Sequence, residues 1–221
     1  DEVFDGADWF HFTGITPALS AAAAEETLRA VQAAKRHGVT VSCDLNYRKN
    51  LWSREEAGRV MGQLVPMVDV LIANEEDAAD VFGICAEATD ITAGKLNVEG
   101  YRSVARQLVE RFGCKKIAVT LRESLSASDN NWSGMLYDGV SGEMVVSKKY
   151  AIRLVDRLGG GDSFGGALIY ALSSQYSDQE AIGFAVAASC LKHTIEFDFN
   201  QVSVSEVRAL MSGSGSGRVQ R

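Results

Sequence analysis

The sequence predicts an α/β fold of three layers, an αβα sandwich with helices on both faces of a mostly parallel sheet. Short β-branched or apolar segments alternate with longer helical segments, which is the pattern of βαβ units with right-handed crossovers. One segment, Val68 to Ala73, is apolar throughout, as in strands that a parallel sheet buries on both faces. With 221 residues, of which 46% are hydrophobic, the chain can form one such domain. We assign residues 1–211 to this domain and residues 212–221, which are rich in Ser and Gly, to a flexible tail.

The first half of the chain is predicted to hold three strands, each followed by a helix. The strands are assigned to residues 9–12, 39–43 and 68–73. The first helix begins at Thr16-Pro17, because Thr caps a helix and Pro fits its first turn, and Gly38 ends it. Ser53 begins the second helix and Asn74 caps the third.

The second half continues this alternation after a polar, weakly patterned stretch at residues 89–97. A helix is predicted at 98–112 and a strand at 116–121. Asp138-Gly139 reads as the turn of a hairpin between strands near 133–137 and 143–149. Three helices follow: one from a glycine-rich turn to about Ser174, one capped by Asp178, and a short one from Ser205 to Met211.

Composition and charge argue against several classes of function. A net charge of -7 disfavours binding to nucleic acids or membrane surfaces, because both need basic patches. The sequence shows neither an apolar run of membrane-spanning length nor an N-terminal signal segment. The four cysteines lack metal-ligand and redox-motif spacing, which indicates buried thiols in a reducing cytoplasm.

The glycine-rich turn is the most informative stretch of the sequence. Gly159, Gly160 and Gly161 let the backbone turn sharply and bring its N–H groups close to a bound group. The helix that begins there adds N–H donors and the positive end of its dipole, so the turn favours an anion such as phosphate. Asp162 has two interpretations: a general base for a hydroxyl that attacks a phosphate, or a residue that stabilises the first helical turn.

Polar residues follow several of the predicted strands, and ligands bind at the carboxyl ends of strands in parallel sheets. The residues expected to share this edge are Gly14-Ile15, Asp44, Asn46, Arg48, Asn74 to Asp77, Arg122-Glu123 and the glycine turn. Arg48 can pair with a carboxylate or phosphate, and the acidic residues after Asn74 can hold Mg²⁺ through water. The structural alternatives are a solvated turn and favourable helix-dipole contacts. As a set, these residues suit a magnesium nucleotide and a polyhydroxy acid.

Together these motifs resemble those of the ribokinase-like carbohydrate kinases. That family carries a Gly-Ala-Gly-Asp turn at a helix start, preceded by Asp-Thr-Thr or similar, and the matching residues are Asp156 to Asp162, with Gly160 in place of Ala. It also carries an Asn-x-x-Glu cluster after a strand, matched by Asn74 and Asp77. The branch that phosphorylates 2-keto-3-deoxygluconate is similar in further segments, which are residues 14–19, 44–52, 156–164 and 192–195. The resemblance extends from Trp9 to the C terminus.

The resemblance implies ATP-dependent phosphorylation of the 6-hydroxyl of 2-keto-3-deoxygluconate, with Mg²⁺. Asp162 would take the hydroxyl proton, and the N–H groups of Gly159 to Gly161 would form an anion hole. Arg48 would pair with the sugar-acid carboxylate, and Ile15 would line the sugar pocket. The implied nucleotide contacts are Asn46, Asn74, Thr120, Arg122, Gly159, Gly161 and His193, and the implied Mg²⁺ contacts are Asn74 and Asp77, through water.

The sequence departs from the family in three respects. Asp77 is one methylene shorter than the usual Glu, and Glu196-Phe197 stands where this branch has a Gly-containing turn. We expect the family's N-terminal strands, its Gly-rich sugar-binding segment and its β lid to lie outside this sequence. Sheet edges left unpaired in this way favour a homo-oligomer. Two alternatives stay open: a kinase for another sugar or nucleoside of the family, and a non-catalytic nucleotide-binding fragment.

Overall fold

A computed structural model describes residues 2–85 and 98–213. The strands are β1 (Trp9–Thr13), β2 (Thr40–Asp44), β3 (Val70–Ala73), β4 (Lys116–Ser124), β5 (Asp129–Asp138), β6 (Met144–Val146) and β7 (Tyr150–Arg153). The α-helices are α1 (Ile15–Ala18), α2 (Ala21–Arg36), α3 (Arg54–Leu64), α4 (Glu75–Phe82), α5 (Val98–Phe112), α6 (Gly160–Ser173), α7 (Asp178–Lys192) and α8 (Val204–Met211). The predicted polar stretch at 89–97 and residues 214–221 of the predicted tail lie outside the described residues.

The strands form one mostly parallel sheet with helices on both sides, so the predicted three-layer α/β class is confirmed. Hydrogen-bonded neighbours follow the order β1-β2-β3-β4-β5-β6, and β7 pairs with β5. The strands β1 to β4 pair in parallel, whereas β5 and β7 are antiparallel. Within the described part of the chain, no helix is long and apolar enough to cross a membrane.

The chain divides into two compact units, which we describe separately. Unit 1 comprises Asp1–Val119 and Tyr137–Met144, and unit 2 comprises Thr120–Leu136 and Val145–Arg221. In unit 1, β3 is buried along its whole length, as its uninterrupted apolar run predicts. Each large aliphatic side chain buried in this way contributes roughly 1.5–3 kcal/mol to stability. This core fixes the strands whose ends carry the polar residues of unit 1.

The first predicted helix is divided in the structure into α1 and α2. Ser20 has an extended backbone, with φ −169° and ψ 164°, and its Oγ accepts the Ala23 N–H at 3.1 Å. A serine that caps a new helix in this way interrupts the preceding one. Thr16-Pro17 therefore lie inside the short helix α1 instead of beginning a long one.

In unit 2, the helices α6 and α7 pack closely against β5. A Cβ on Gly134 of β5 would lie 2.9 Å from the Val186 side chain and 3.2 Å from the Phe164 ring. Phe164 of α6 and Val186 of α7 are both completely buried. A side chain at position 134 would push the helices away from the sheet, so Gly134 contributes to the placement of α6.

Several element boundaries in the second half differ from the predictions. The strand β4 continues to Ser124, so Arg122 and Glu123 lie within it instead of after it. The Leu125 N–H donates to the Asp129 carbonyl at 2.9 Å and closes a tight turn between β4 and β5. The N-cap of α7 is Ser177, in a reciprocal capping box with Glu180, and not Asp178.

Candidate active site

The carboxyl ends of β1, β2 and β3 meet in unit 1. The Gly14 N–H donates to the Asp44 carbonyl at 2.8 Å, and the Leu45 N–H donates to the Ile72 carbonyl at 2.9 Å. A Cβ on Gly14 would lie 2.1 Å from the Leu45 carbonyl oxygen, so this close approach requires glycine. The structure thus brings together the strand-end residues of unit 1, as a parallel sheet predicts.

Asn46 and Ile15 share one hydrogen-bond partner, the Thr13 hydroxyl. Asn46 Nδ2 donates to Thr13 Oγ1 at 3.3 Å, and the Ile15 N–H donates to the same oxygen at 3.4 Å. Asn46 has φ +38°, in a region that residues other than glycine rarely adopt but that Asn tolerates. Backbone strain of this kind is concentrated at functional sites. Thr13 was not a predicted site residue, although it ends β1 beside the predicted edge.

Asn74 and Asp77 connect the start of α4 to the loop after β2. Asn74 Oδ1 accepts the Asp77 N–H at 2.7 Å, which confirms Asn74 as the cap of α4. Asp77 Oδ1 in turn accepts the Tyr47 N–H at 3.2 Å. The Asp77 side chain is therefore a buried bridge between the two predicted clusters, with Asp77 only 7% exposed.

The Asp77 carboxyl group has a perturbed protonation equilibrium. Burial raises its pKa from 3.8 to about 6, although the Tyr47 N–H and the positive charge of Arg48 act in the opposite direction. Arg48 itself is exposed, so its guanidinium can influence Asp77 and still reach a ligand. A buried carboxylate with incomplete compensation of its charge is typical of functional sites and favours a nearby cation.

The glycine turn of unit 2 begins α6, as predicted. Gly159 is the N-cap and has φ +72°, a left-handed conformation that glycine adopts without steric cost. Asp156 fixes the approach to the turn, because Oδ1 accepts the Leu158 N–H and Oδ2 accepts the Phe197 N–H, both at 2.9 Å. These N–H donors, Leu158 first, lower the pKa of Asp156 and favour its charged form.

The first turn of α6 directs N–H groups out of the helix end. The first intrahelical hydrogen bond runs from the Ser163 N–H to the Gly159 carbonyl at 2.8 Å, so the N–H groups before Ser163 lack an i−4 partner. Of the three predicted anion-hole donors, the Gly160 N–H makes a long bond of 3.4 Å to the Arg157 carbonyl. Asp162 lies in the same turn and is exposed, which leaves its carboxylate accessible to a substrate hydroxyl.

His193 lies against the inner side of the glycine turn. It is 5% exposed, and its Nδ1–H donates to the Ser189 carbonyl at 2.7 Å. Its ring meets the Trp132 ring edge-on, with centroids 4.9 Å apart. A Cβ on Gly160 would lie 2.6 Å from His193 Nε2. Burial lowers the pKa of His193, and neighbouring positive charges act in the same direction, so the neutral ring is favoured.

Two further predicted nucleotide residues, Thr120 and Arg122, lie two positions apart in β4 and therefore on one face of that strand. Thr120 is half-buried and Arg122 is exposed. The charge of Arg122 contributes to the lowered pKa of His193, so Arg122 and His193 lie in the same region of unit 2. Phe197, which stands where the resembled branch has a Gly-containing turn, has φ +65° and is 72% exposed.

Among the described residues, no three His, Cys, Asp or Glu side chains are grouped to hold a metal ion. Mg²⁺ usually keeps several waters and takes one or two protein oxygens. Asn74 and Asp77 fit this mode, because they offer an amide oxygen and a carboxylate to the waters of such an ion. The Oδ1 atom of each residue also accepts a backbone N–H.

A glycine-rich helix start with an exposed aspartate, on a three-layer α/β fold with polar strand ends, is compatible with phosphoryl transfer. Residues 2–194 match the sequence profile of the pfkB family carbohydrate kinases. The chain belongs to this family.

Three relatives are carbohydrate kinases, and two of them are named for a 2-dehydro-3-deoxy sugar acid. A 2-dehydro-3-deoxygalactonokinase of Haloferax volcanii is 29% identical over 216 residues, which cover 98% of this chain and 61% of that protein. The crystal structure of a 2-dehydro-3-deoxygluconokinase of Thermotoga maritima matches with a TM-score of 0.89 and 47% identity, over 96% of this chain and 62% of that one. A pfkB family carbohydrate kinase of Listeria grayi gives a TM-score of 0.84 and 33% identity, with the same coverage. The chain spans about three fifths of the length of these relatives.

Proposed function

We propose that this chain carries the phosphoryl-transfer residues of a 2-keto-3-deoxygluconate kinase, which phosphorylates the 6-hydroxyl of that sugar acid with ATP. The observation that carries the proposal is the glycine turn with an exposed Asp162 in a chain of the pfkB family. The similarity to the Thermotoga maritima 2-dehydro-3-deoxygluconokinase, over 96% of this chain, supports the substrate class. We further propose that the enzyme is cytoplasmic and forms a homo-oligomer.

Asp162 is the proposed general base. Its carboxylate accepts the proton of the 6-hydroxyl as that oxygen attacks the γ-phosphorus of ATP. The bond between the γ-phosphorus and the bridging oxygen then breaks, and ADP leaves with the electron pair. The N–H groups of Gly159 to Gly161 donate to the phosphoryl oxygens, over which the negative charge spreads. One preorganised donor of this kind contributes roughly 3–4 kcal/mol in the transition state.

Arg48 is the proposed partner of the substrate carboxylate. Its planar guanidinium forms two parallel hydrogen bonds with a carboxylate, a geometry that Lys does not reproduce. The exposure of Arg48 supports this role, as does the anchoring of the adjacent Tyr47 backbone by Asp77. Ile15 is proposed to line the sugar pocket, with its position set by the Thr13 hydroxyl.

ATP and Mg²⁺ are the proposed cofactors, because the kinases of this family use ATP. The residues proposed to contact the nucleotide are Asn46, Asn74, Thr120, Arg122, Gly159, Gly161 and His193. Mg²⁺, held through water by Asn74 and Asp77, would neutralise part of the phosphate charge when bound. The raised pKa of Asp77 supports a cation at this place, because a cation would stabilise the ionised carboxylate.

A kinase for the galacto epimer of the same sugar acid is a second candidate. The Haloferax volcanii 2-dehydro-3-deoxygalactonokinase matches 98% of the chain, which favours it. The two substrates share the carboxylate and the 6-hydroxyl, so the proposed roles of Arg48 and Asp162 are the same for both.

The test is ADP formation by the purified 221-residue chain with ATP, Mg²⁺ and each of four acceptors: the two epimeric sugar acids, fructose and adenosine. We expect turnover with the sugar acids and its loss in Asp162→Asn. A preference for fructose or adenosine would support a kinase with another substrate. Binding of ATP without turnover on any acceptor would support a non-catalytic fragment.

A further inference from the structure

We infer that His193 is a positioning residue for the phosphate-binding turn. Its imidazole occupies the space that a side chain at position 160 would need, and it thereby holds the Gly160 backbone in place. The inference rests on the proposed function of the turn as an anion hole. His193 acts here through the Gly160 backbone and not through the reacting atoms.

The steric contact between His193 and Gly160 is the first observation. A Cβ on Gly160 would lie 2.6 Å from His193 Nε2 and 2.8 Å from Cε1, closer than side-chain carbons approach other atoms. At the next residue, Gly161, a Cβ would meet nothing within 4 Å. Of these two positions, only 160 requires glycine, and the imidazole is the cause.

A second observation is that α7 binds the same residue by a hydrogen bond. Ser189 Oγ donates to the Gly160 carbonyl at 2.8 Å, and Ser189 is completely buried. The Ser189 carbonyl accepts the Nδ1–H of His193 at 2.7 Å, so one residue of α7 orients both the turn and the ring. Gly160 is thus held by a hydrogen bond to its carbonyl and by contact with the imidazole.

The tautomer of His193 makes the close contact possible. Because Nδ1 carries the proton donated to Ser189, the neutral ring presents Nε2 to Gly160 as a lone pair without a hydrogen. The Trp132 ring supports the imidazole from another side, at 4.9 Å between centroids. The ring is therefore a fixed surface, and the turn cannot relax towards it.

Fixing the turn matters because the direction of its N–H groups determines where the phosphoryl oxygens lie. A displacement of about 1 Å in a reacting geometry can lower the rate by roughly 100-fold. Removal of the imidazole would open space beneath Gly160 and allow such a displacement. The expected consequence is a lower kcat with little change in the KM for the sugar acid.

The experiment is a double-mutant cycle of His193→Ala and Gly160→Ala. We expect each single variant to lose roughly 10- to 100-fold in kcat, the first by loss of support and the second by collision of the new methyl with the ring. In the double variant the new methyl group at position 160 enters the space left by the imidazole. The kcat of the double variant should therefore be roughly tenfold higher than the kcat predicted by adding the effects of the two single variants. His193→Asn, which keeps a donor for the Ser189 carbonyl, should lose less activity than His193→Ala.

Gly166→Ala is the matched control, because Gly166 lies in the same helix and a Cβ there would meet nothing within 4 Å. Its combination with His193→Ala should show additive effects. Additive effects in the Gly160 cycle as well would overturn the inference. So would a His193→Ala variant that has a lower Tm but a normal kcat, since His193 would then be an ordinary core residue.

Amide hydrogen exchange separates this inference from the proposed function, because it needs no turnover. The Ser163 N–H, which donates to the Gly159 carbonyl at 2.8 Å, should exchange faster in folded His193→Ala than in the wild type, and the double variant should restore slow exchange at this position. If the wild-type chain has no kinase activity, the proposed function fails, but the exchange rates still decide whether His193 holds the turn. Unchanged exchange would overturn the inference even in an active enzyme.

Discussion

Replacement of Asp77 by Asn tests whether the buried Asp77 carboxylate of unit 1 lowers the free energy of unfolding. Burial raises the Asp77 pKa from 3.8 to about 6. Each pKa unit corresponds to about 1.4 kcal/mol, so the ionised carboxylate destabilises the folded chain by about 3 kcal/mol above pH 6. Asp77→Asn removes the charge and keeps an oxygen that can accept the Tyr47 N–H. We therefore expect the variant to be more stable than the wild type at pH 8.

The sign of the pH dependence follows from the order of ionisation. Below about pH 3 Asp77 is protonated in the folded and the unfolded chain, so wild type and variant should have similar stability, and at pH 4 they should still differ little. Between pH 4 and 6 the unfolded chain ionises first, and the wild type loses stability relative to Asp77→Asn. At pH 8 the difference should reach about 3 kcal/mol, or about 6–12 °C in Tm for a chain of this size.

Urea and thermal unfolding at pH 4, 6 and 8, in EDTA to remove divalent cations, would measure this difference. Asp80→Asn is the control, because Asp80 lies in the same helix, is more exposed and pairs with Arg54 at 2.6 Å. It should not gain stability between pH 4 and 8. An Asp77→Asn variant that is less stable than the wild type at pH 8 would refute the assignment of the destabilisation to the Asp77 charge. A variant that exceeds the wild type in stability by the same amount at pH 4 as at pH 8 would refute it as well.

Four further variants test individual residues of unit 1 and unit 2. Asp162→Asn should bind ATP with wild-type affinity by calorimetry but lose nearly all turnover, and near-normal turnover would exclude Asp162 as the base. Arg48→Ala should raise the KM for a sugar acid by roughly 10- to 100-fold, which corresponds to the free energy of a charge-assisted hydrogen bond. An unchanged KM in steady-state kinetics would exclude the contact between Arg48 and the substrate carboxylate. Gly14→Ala should destabilise the chain by about 3 kcal/mol in urea unfolding, because its Cβ would lie 2.1 Å from a carbonyl oxygen. Gly62→Ala, where a Cβ meets nothing within 4 Å in α3, should instead gain about 0.5–1 kcal/mol.

Local patterns in the sequence were sufficient to predict the parallel part of the sheet. The apolar run before Asn74 identifies β3, and the Asn74 side chain caps α4 as predicted. The alternation of strands and helices then places the strand ends of unit 1 together. The boundary at Ser20 was missed, because Thr16-Pro17 and Ser20 are both good helix starts, and local propensity does not choose between them.

The contacts that shape the candidate site depend on pairing between distant residues, and the sequence could not show them. The extension of β4 to Ser124 and the strand β7 depend on hydrogen bonds to β5, whose partners are set by the fold. The contact between Gly160 and His193 joins the start of α6 to the C-cap of α7, and the glycine pattern itself gives no sign of it. The same holds for the buried state of Asp77, which appears in the sequence as an ordinary acidic residue of a first helical turn.

Among the described residues, β1 lies at the end of the strand order, which has a practical consequence for handling the 221-residue chain by itself. Its sequence, Trp-Phe-His-Phe-Thr, contains neither Pro nor a Lys or Glu that would discourage pairing with another chain, and Trp9 and Phe10 are half-buried. When the 221-residue chain is purified by itself, such an edge can pair with a strand of another molecule, and the extent of this association increases with protein concentration. Expression yield, filtration profile and specific activity should therefore be compared over a dilution series before any kinetic constant is assigned to the monomer.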